Sequence, residues 1–310
     1  MVLDLFDYHR NTFCRNEPNE LVGTAFTGLG DNMFPEPGAG DFDARWRQAI
    51  AHTIRANGAR DRFGTEKDYF RAPWRAHLGQ SLMSRQKFRA RVLPRPQGQL
   101  VEEWFCPALY YDAAAQARAL PVLKILLSPA WVLKAHDLID TQLVVHVIRR
   151  PQGFAQSWWS RYVTGIGGGP EKVFADNQPS LIRILQHFGR EEEMPSHYSL
   201  ADLVVSELWR WRYMNEVLLD QMSGSDRYLT LAYEDVMHNK LPWAEKLYGF
   251  AGLEMTPACR QSISSMQNTL FKARKSDGLD PKMVEEAVAQ VIGDSPFRDK
   301  LLNVDPGAVS

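Results

Sequence analysis

The stretch that most constrains this chain is "QLVVHVIRRPQGFAQSW", residues 142–158. Val144, Val145, Val147 and Ile148 are interrupted only by His146, and a β-branched run without polar alternation reads as a strand covered on both faces. Strands of that kind belong to parallel sheets, whose crossovers usually carry helices. The run stops at Arg149 and Arg150. Pro151 then removes a ladder donor and suits the first turn of a helix. A buried strand, a basic turn and a helix-compatible segment therefore follow one another.

The rest of the chain repeats this alternation. "PVLKILLSPAWVLKAHDLID" is mostly apolar with a Ser-Pro break, and "RYLTLAYED" reads as a second strand before the helical "LPWAEKLYGFAGL", closed by Gly252. Residues 199–222 have the spacing of a long amphipathic helix, with Ser199 three residues before Asp202 as a capping box. "FDARWRQAIAHTIRANG" is helical with a glycine stop, after the Gly/Pro/Asn/Asp-rich connection 28–43. "VLDLFDYHRNTFC" reads as the tail of a helix, and "TGIGGGPEK" (164–172) as a flexible loop. Trp158, Trp159, Trp209 and Trp211 are expected in the core or along a groove wall. The expectation is one α/β domain over 1–310, a doubly wound parallel sheet flanked by helices.

Charge is nearly balanced, 36 basic against 37 acidic side chains among 310 residues. No global field draws the protein to nucleic acid or an anionic bilayer, so an anion site has to be local. Cys14, Cys106 and Cys259 are scattered without metal-ligand spacing, which fits a reducing cytoplasm and implies no metal. No signal peptide or membrane span is expected.

At the carboxyl edge of a parallel sheet, where α/β folds bind ligands, Arg149 offers a planar fork for phosphate. Ser157 offers a hydroxyl from the next helix. Taken alone, the same residues also suit a solvated turn. Together they resemble the sulfotransferase family that uses 3'-phosphoadenosine 5'-phosphosulfate (PAPS), in which an apolar strand enters an Arg-x-Pro turn with a serine eight positions after the arginine. Arg149, Pro151 and Ser157 match, while Arg150 stands where the family has aspartate. "YED" at 233–235, the Glu-Pro segment in "FCRNEPNEL" and the basic "LFKARKSDG" extend the likeness over roughly residues 1–290.

The resemblance implies a P-loop-like fold and PAPS as co-substrate without a metal. Arg149, Ser157, Lys272, Arg274 and Lys275 would contact the nucleotide, with Ser276 beside them. The chain would then divide into a loop-rich 1–130, a 3'-phosphate half 131–290 and a tail 291–310. The implied activity is sulfuryl transfer to a hydroxyl or amine of a carbohydrate or small metabolite. "WVLKAHDL" resembles a Lys-x-His segment that makes His136 a candidate base and Lys134 a candidate contact for the sulfonate. Glu17 is the rival base. His136 also suits a hydrogen-bonded structural role, Glu17-Pro18 a turn, and 272–275 a solvated basic loop. The family's Gly-rich loop before the Glu-Pro segment has no counterpart in the sixteen residues ahead of Glu17. The expected fold accordingly lacks its first strand, through a lost upstream segment or through degeneracy. The alternative function is a non-catalytic nucleotide-binding or interaction protein of the same fold.

Overall fold

Parallel strand pairing organises both halves of this chain. A computed structural model describes residues 2–18, 26, 28–35, 40–55, 112–166, 168–195, 197–266 and 278–302. The helices up to the second sheet are α1 (Val2–Asp7), α2 (Phe42–Arg55), α3 (Ala113–Arg118) and α4 (Pro129–Leu138). Next come α5 (Pro151–Trp158), a wider π-type segment (Trp159–Ile166), α6 (Pro170–Phe188) and α7 (Leu200–Met222). The chain continues with α8 (Tyr233–His238), α9 (Lys240–Phe250), α10 (Pro257–Ser264), α11 (Pro281–Ile292) and α12 (Arg298–Leu302). The strands are β1 (Thr12–Asn16), β2 (Leu120–Lys124), β3 (Val144–Ile148) and β4 (Tyr228–Ala232). The described chain is thus mixed α/β, mostly helical, with two small parallel sheets, β1–β2 and β3–β4. It divides into two compact units, 1–141 with 239–266, and 142–238 with 267–310.

In the first unit the register runs from Thr12 opposite Leu120 to Asn16 opposite Lys124. The expectation of continuous helix through Cys14 is corrected here. Helix α1 ends at Asp7, and the strand begins at Thr12, whose Oγ1 donates to the carbonyls of Phe6 (2.6 Å) and His9 (2.9 Å). Thr, Phe and Cys at 12–14 favour a pleated, buried surface, and every residue of β1 is buried. The first described strand therefore lies where the sequence suggested a helix. A core of Phe26, Leu29, Phe42, Trp46, Ala49, Trp131, Ala135 and Ile139 packs α2 against α4.

In the second unit β3 pairs with β4 from Val144–Tyr228 to Ile148–Ala232. Tyr233 and Glu234, read from sequence as a strand end, instead open α8. Helix α7 starts as its pattern requires: Ser199 Oγ accepts from Asp202 N at 3.0 Å. It crosses β3 at His146, whose Nδ1 meets Tyr228 OH at 2.6 Å and whose Nε2 meets Asn215 Oδ1 at 2.9 Å. Trp158, Trp159, Trp209 and Trp211 are all buried, as packing residues. Among the described residues no helix is long and apolar enough to cross a membrane.

Burial holds His146 neutral, with its pKa lowered to about 4 from an ordinary 6.5 despite the hydrogen bond to Asn215. A depressed base stabilises the fold fully above its unfolded pKa, and the contribution drains away as pH falls from about 6.5 to about 4. Urea unfolding should therefore show the wild-type advantage over His146→Gln shrinking by about 2 kcal/mol between about pH 7 and pH 4.5. A constant advantage would show that the ring does not titrate within that window.

Candidate functional site

The parallel register forces the chain exits of β3 and β4 onto one edge. Ile148 and Ala232 are the last paired residues, so Arg149 and Tyr233 leave side by side. The Arg149 guanidinium lies over the Tyr233 ring, its central carbon 5.2 Å from the centroid. One residue on, Arg150 N donates to both oxygens of Glu234, at 3.2 and 3.3 Å. Glu234 is thus a hydrogen-bond acceptor that ties the start of α5 to the end of β4. Pro151 occupies the first helical turn, where its missing N–H costs nothing.

Gly153 explains how the arginine fits. A methyl group added there would meet Arg149 Nε at 3.2 Å and Glu234 Oε1 at 3.4 Å. The guanidinium therefore rests against bare backbone. Arg149 Nε is buried without a hydrogen-bond partner among the described residues, and an orphaned buried donor is a cost that an anionic ligand would remove. Ser157 lies four residues beyond Gly153 on the same helix, hence on the same face. A planar cation and a hydroxyl on one helix face are suited to an oxyanion such as phosphate.

The other candidates lie elsewhere. Lys272, Arg274, Lys275 and Ser276 fall outside the described residues. On α4 in the first unit, His136 is buried with Nδ1 3.6 Å from Asp137 Oδ1, and Lys134 Nζ sits 5.7 Å from the Phe42 ring centroid. Glu17 follows the last residue of β1 at φ 53°, a left-handed conformation uncommon for a non-glycine residue. Its N–H donates to Lys124 O at 2.7 Å, and its Oε1 lies 2.5 Å from Lys124 Nζ, which also reaches Asn16 Oδ1 at 3.3 Å. Sequence reading had no signal for Lys124, because only the β1–β2 register places it beside Glu17. The steric role of Gly153 appears only once Arg149 is seen against it. Among the described residues no three His, Cys, Asp or Glu side chains come together as metal ligands would.

Replacing Glu234 by Ala should lower stability by about 1 kcal/mol, the net worth of a hydrogen bond of this kind, with Glu234→Gln losing less because it keeps an acceptor. Denaturant titration of both variants measures this, and equal stability of all three proteins would show that the Arg150–Glu234 link is not formed in solution. No family model, curated protein or solved structure matches this chain.

Proposed function

We propose that this protein is a PAPS-dependent sulfotransferase, transferring the sulfuryl group to a hydroxyl or amine of a carbohydrate or small metabolite. The observation that carries the reading is Arg149: a guanidinium at the carboxyl end of a parallel strand, with Nε unsatisfied, against the helix face that bears Ser157. In this reading both groups hold the nucleotide 3'-phosphate, and Lys272, Arg274 and Lys275 add contacts from the later basic segment. The finer fold goes with it: a P-loop-like, doubly wound parallel sheet in a single cytoplasmic domain.

The transfer itself is an in-line displacement. An acceptor oxygen or nitrogen attacks sulfur, the bond from sulfur to the bridging phosphate oxygen breaks, and adenosine 3',5'-bisphosphate departs. Positioning and charge neutralisation supply most of the catalysis, by analogy with phosphoryl transfer. The acceptor's proton goes to a base, for which Glu17 and His136 are the candidates. Glu17 stands at the carboxyl end of β1, where such sheets meet ligands, whereas His136 is buried beside Ala135 on a core-packed helix. Lys134, set over Phe42, serves packing in this reading.

Calorimetry with adenosine 3',5'-bisphosphate tests the reading. Arg149→Ala should weaken binding by about 2 kcal/mol or more, roughly 30-fold in Kd, with Gly153→Ala also weaker because its methyl displaces the guanidinium. A loss under about 0.5 kcal/mol for Arg149→Ala would remove that residue from the site. Binding without any sulfated product from PAPS and a panel of sugars, phenols and amines would favour a non-catalytic nucleotide-binding protein.

A further inference from the structure

We propose that Asn177, Glu207 and Arg210 form a proton-sensitive clasp that holds the first half of α6 against α7, so that residues 170–178 act as a flap. The three side chains close a triangle. Asn177 Nδ2 donates to Glu207 Oε1 at 2.5 Å, Arg210 Nη2 donates to Glu207 Oε2 at 2.5 Å, and Arg210 Nη1 donates to Asn177 Oδ1 at 3.2 Å. Only Asn177 belongs to α6. It is the polar link between the two helices at this level.

The flap has a break at each end. At its start Gly168 and Gly169 hold φ values of 80° and 101°, which L side chains rarely adopt, and Gly165 interrupts the preceding helical segment. At its other end Pro179 lies inside the helix, where it removes a backbone hydrogen bond and favours a bend. Beyond Pro179 the helix is pinned by aromatic contacts, Phe188 to Trp209 at 5.3 Å and His187 to Tyr213 at 5.0 Å between centroids. Before it the attachments are Val173, Phe174 packed on Tyr198, and the clasp.

The clasp is sensitive to protons because its carboxyl is almost wholly enclosed, with 2% of the side chain exposed. Burial raises the Glu207 pKa to about 7, against the opposing pull of Arg210 and of hydrogen bonds from Arg210 and Asn177. Arg210 is the charged group that acts on it. Glu171, Lys172 and Asp176 of the flap and Arg161 of the preceding segment are exposed to solvent. The sign then follows from linkage. A carboxyl whose pKa is raised in the closed state stabilises closure at low pH, and that contribution is lost as pH rises from about 4.5 through about 7. The flap opens more readily on the alkaline side.

Hydrogen exchange of the amides at 171–178, each rate corrected for its intrinsic pH dependence, tests this on the unliganded protein and does not depend on sulfuryl transfer. With an ordinary carboxyl in the open state, the opening constant should rise about 30-fold from about pH 5.5 to 8.5. In Glu207→Gln it should stay flat. Asn177→Leu leaves the Glu207–Arg210 pair within α7 and removes a hydrogen bond that lowers the Glu207 pKa, so it should open the flap more at low pH while keeping at least the wild-type pH dependence. A wild-type rise below about threefold, an equal rise in Glu207→Gln, or no greater opening in Asn177→Leu than in the wild type overturns the clasp.

Discussion

A parallel pair of strands delivers both of its chain exits to one edge, and the chemistry proposed for this protein depends on that geometry. Antiparallel strands would send Arg149 and Tyr233 to opposite ends of the sheet. The parallel register of β3 with β4 instead stacks the guanidinium on the ring and brings Glu234 to the first N–H of the following helix. The first unit shows the same constraint. Asn16 and Lys124 end β1 and β2 in register, so Glu17 meets the Lys124 ammonium at that sheet's carboxyl edge.

Arginines in this protein differ in how far their bonding capacity is used. Arg212 is saturated: it donates to Glu216, Asp294 and the Val291 carbonyl, and stacks on Phe188 and Trp209. Its bonds to the Val291 carbonyl and Asp294 help hold α11 against α7, so its role is packing. Arg149 rests on one aromatic face, with Nε buried and unpaired among the described residues. With a net charge of only −1 over the chain, no general attraction brings anions to the surface. A local group with spare donors is then the physically reasonable place for one to bind.

How much of this was legible in the sequence follows from the range of each interaction. The β-branched run at 144–148 and the capped helix after Ser199 are local patterns, and both elements form, although β3 is buried on one face only, with Val147 36% exposed on the other, rather than covered on both as its composition suggested. The opening residues misled because Leu3, Leu5 and Phe6 suit a helix, whereas β1 is chosen by its pairing with β2, more than a hundred residues away. Neighbours such as Glu17 and Lys124, or Asn177 and Glu207, come together only through tertiary register or helix packing. Nothing in their sequence spacing indicates the contact. The purpose of Gly153 is the absence of a side chain opposite Arg149, which only the assembled fold displays.

Two strongly perturbed buried groups, His146 against α7 and Glu207 on it, pull stability in opposite directions. Holding His146 neutral stabilises the unit increasingly as pH rises from about 4 to about 6.5. Enclosing Glu207 works the other way from about 4.5 to about 7. Between about 4.5 and 6.5 the two slopes offset, so these groups leave global unfolding nearly independent of pH while each local equilibrium still shifts. They act at different places: His146 joins α7 to the sheet through Asn215, whereas Glu207 joins α7 to the flap through Asn177. Acidification therefore loosens the helix from the strand while tightening the flap upon it, and alkalinisation does the reverse. A chain balanced in this way can hold its overall stability constant and still redistribute motion between the two faces of its central helix.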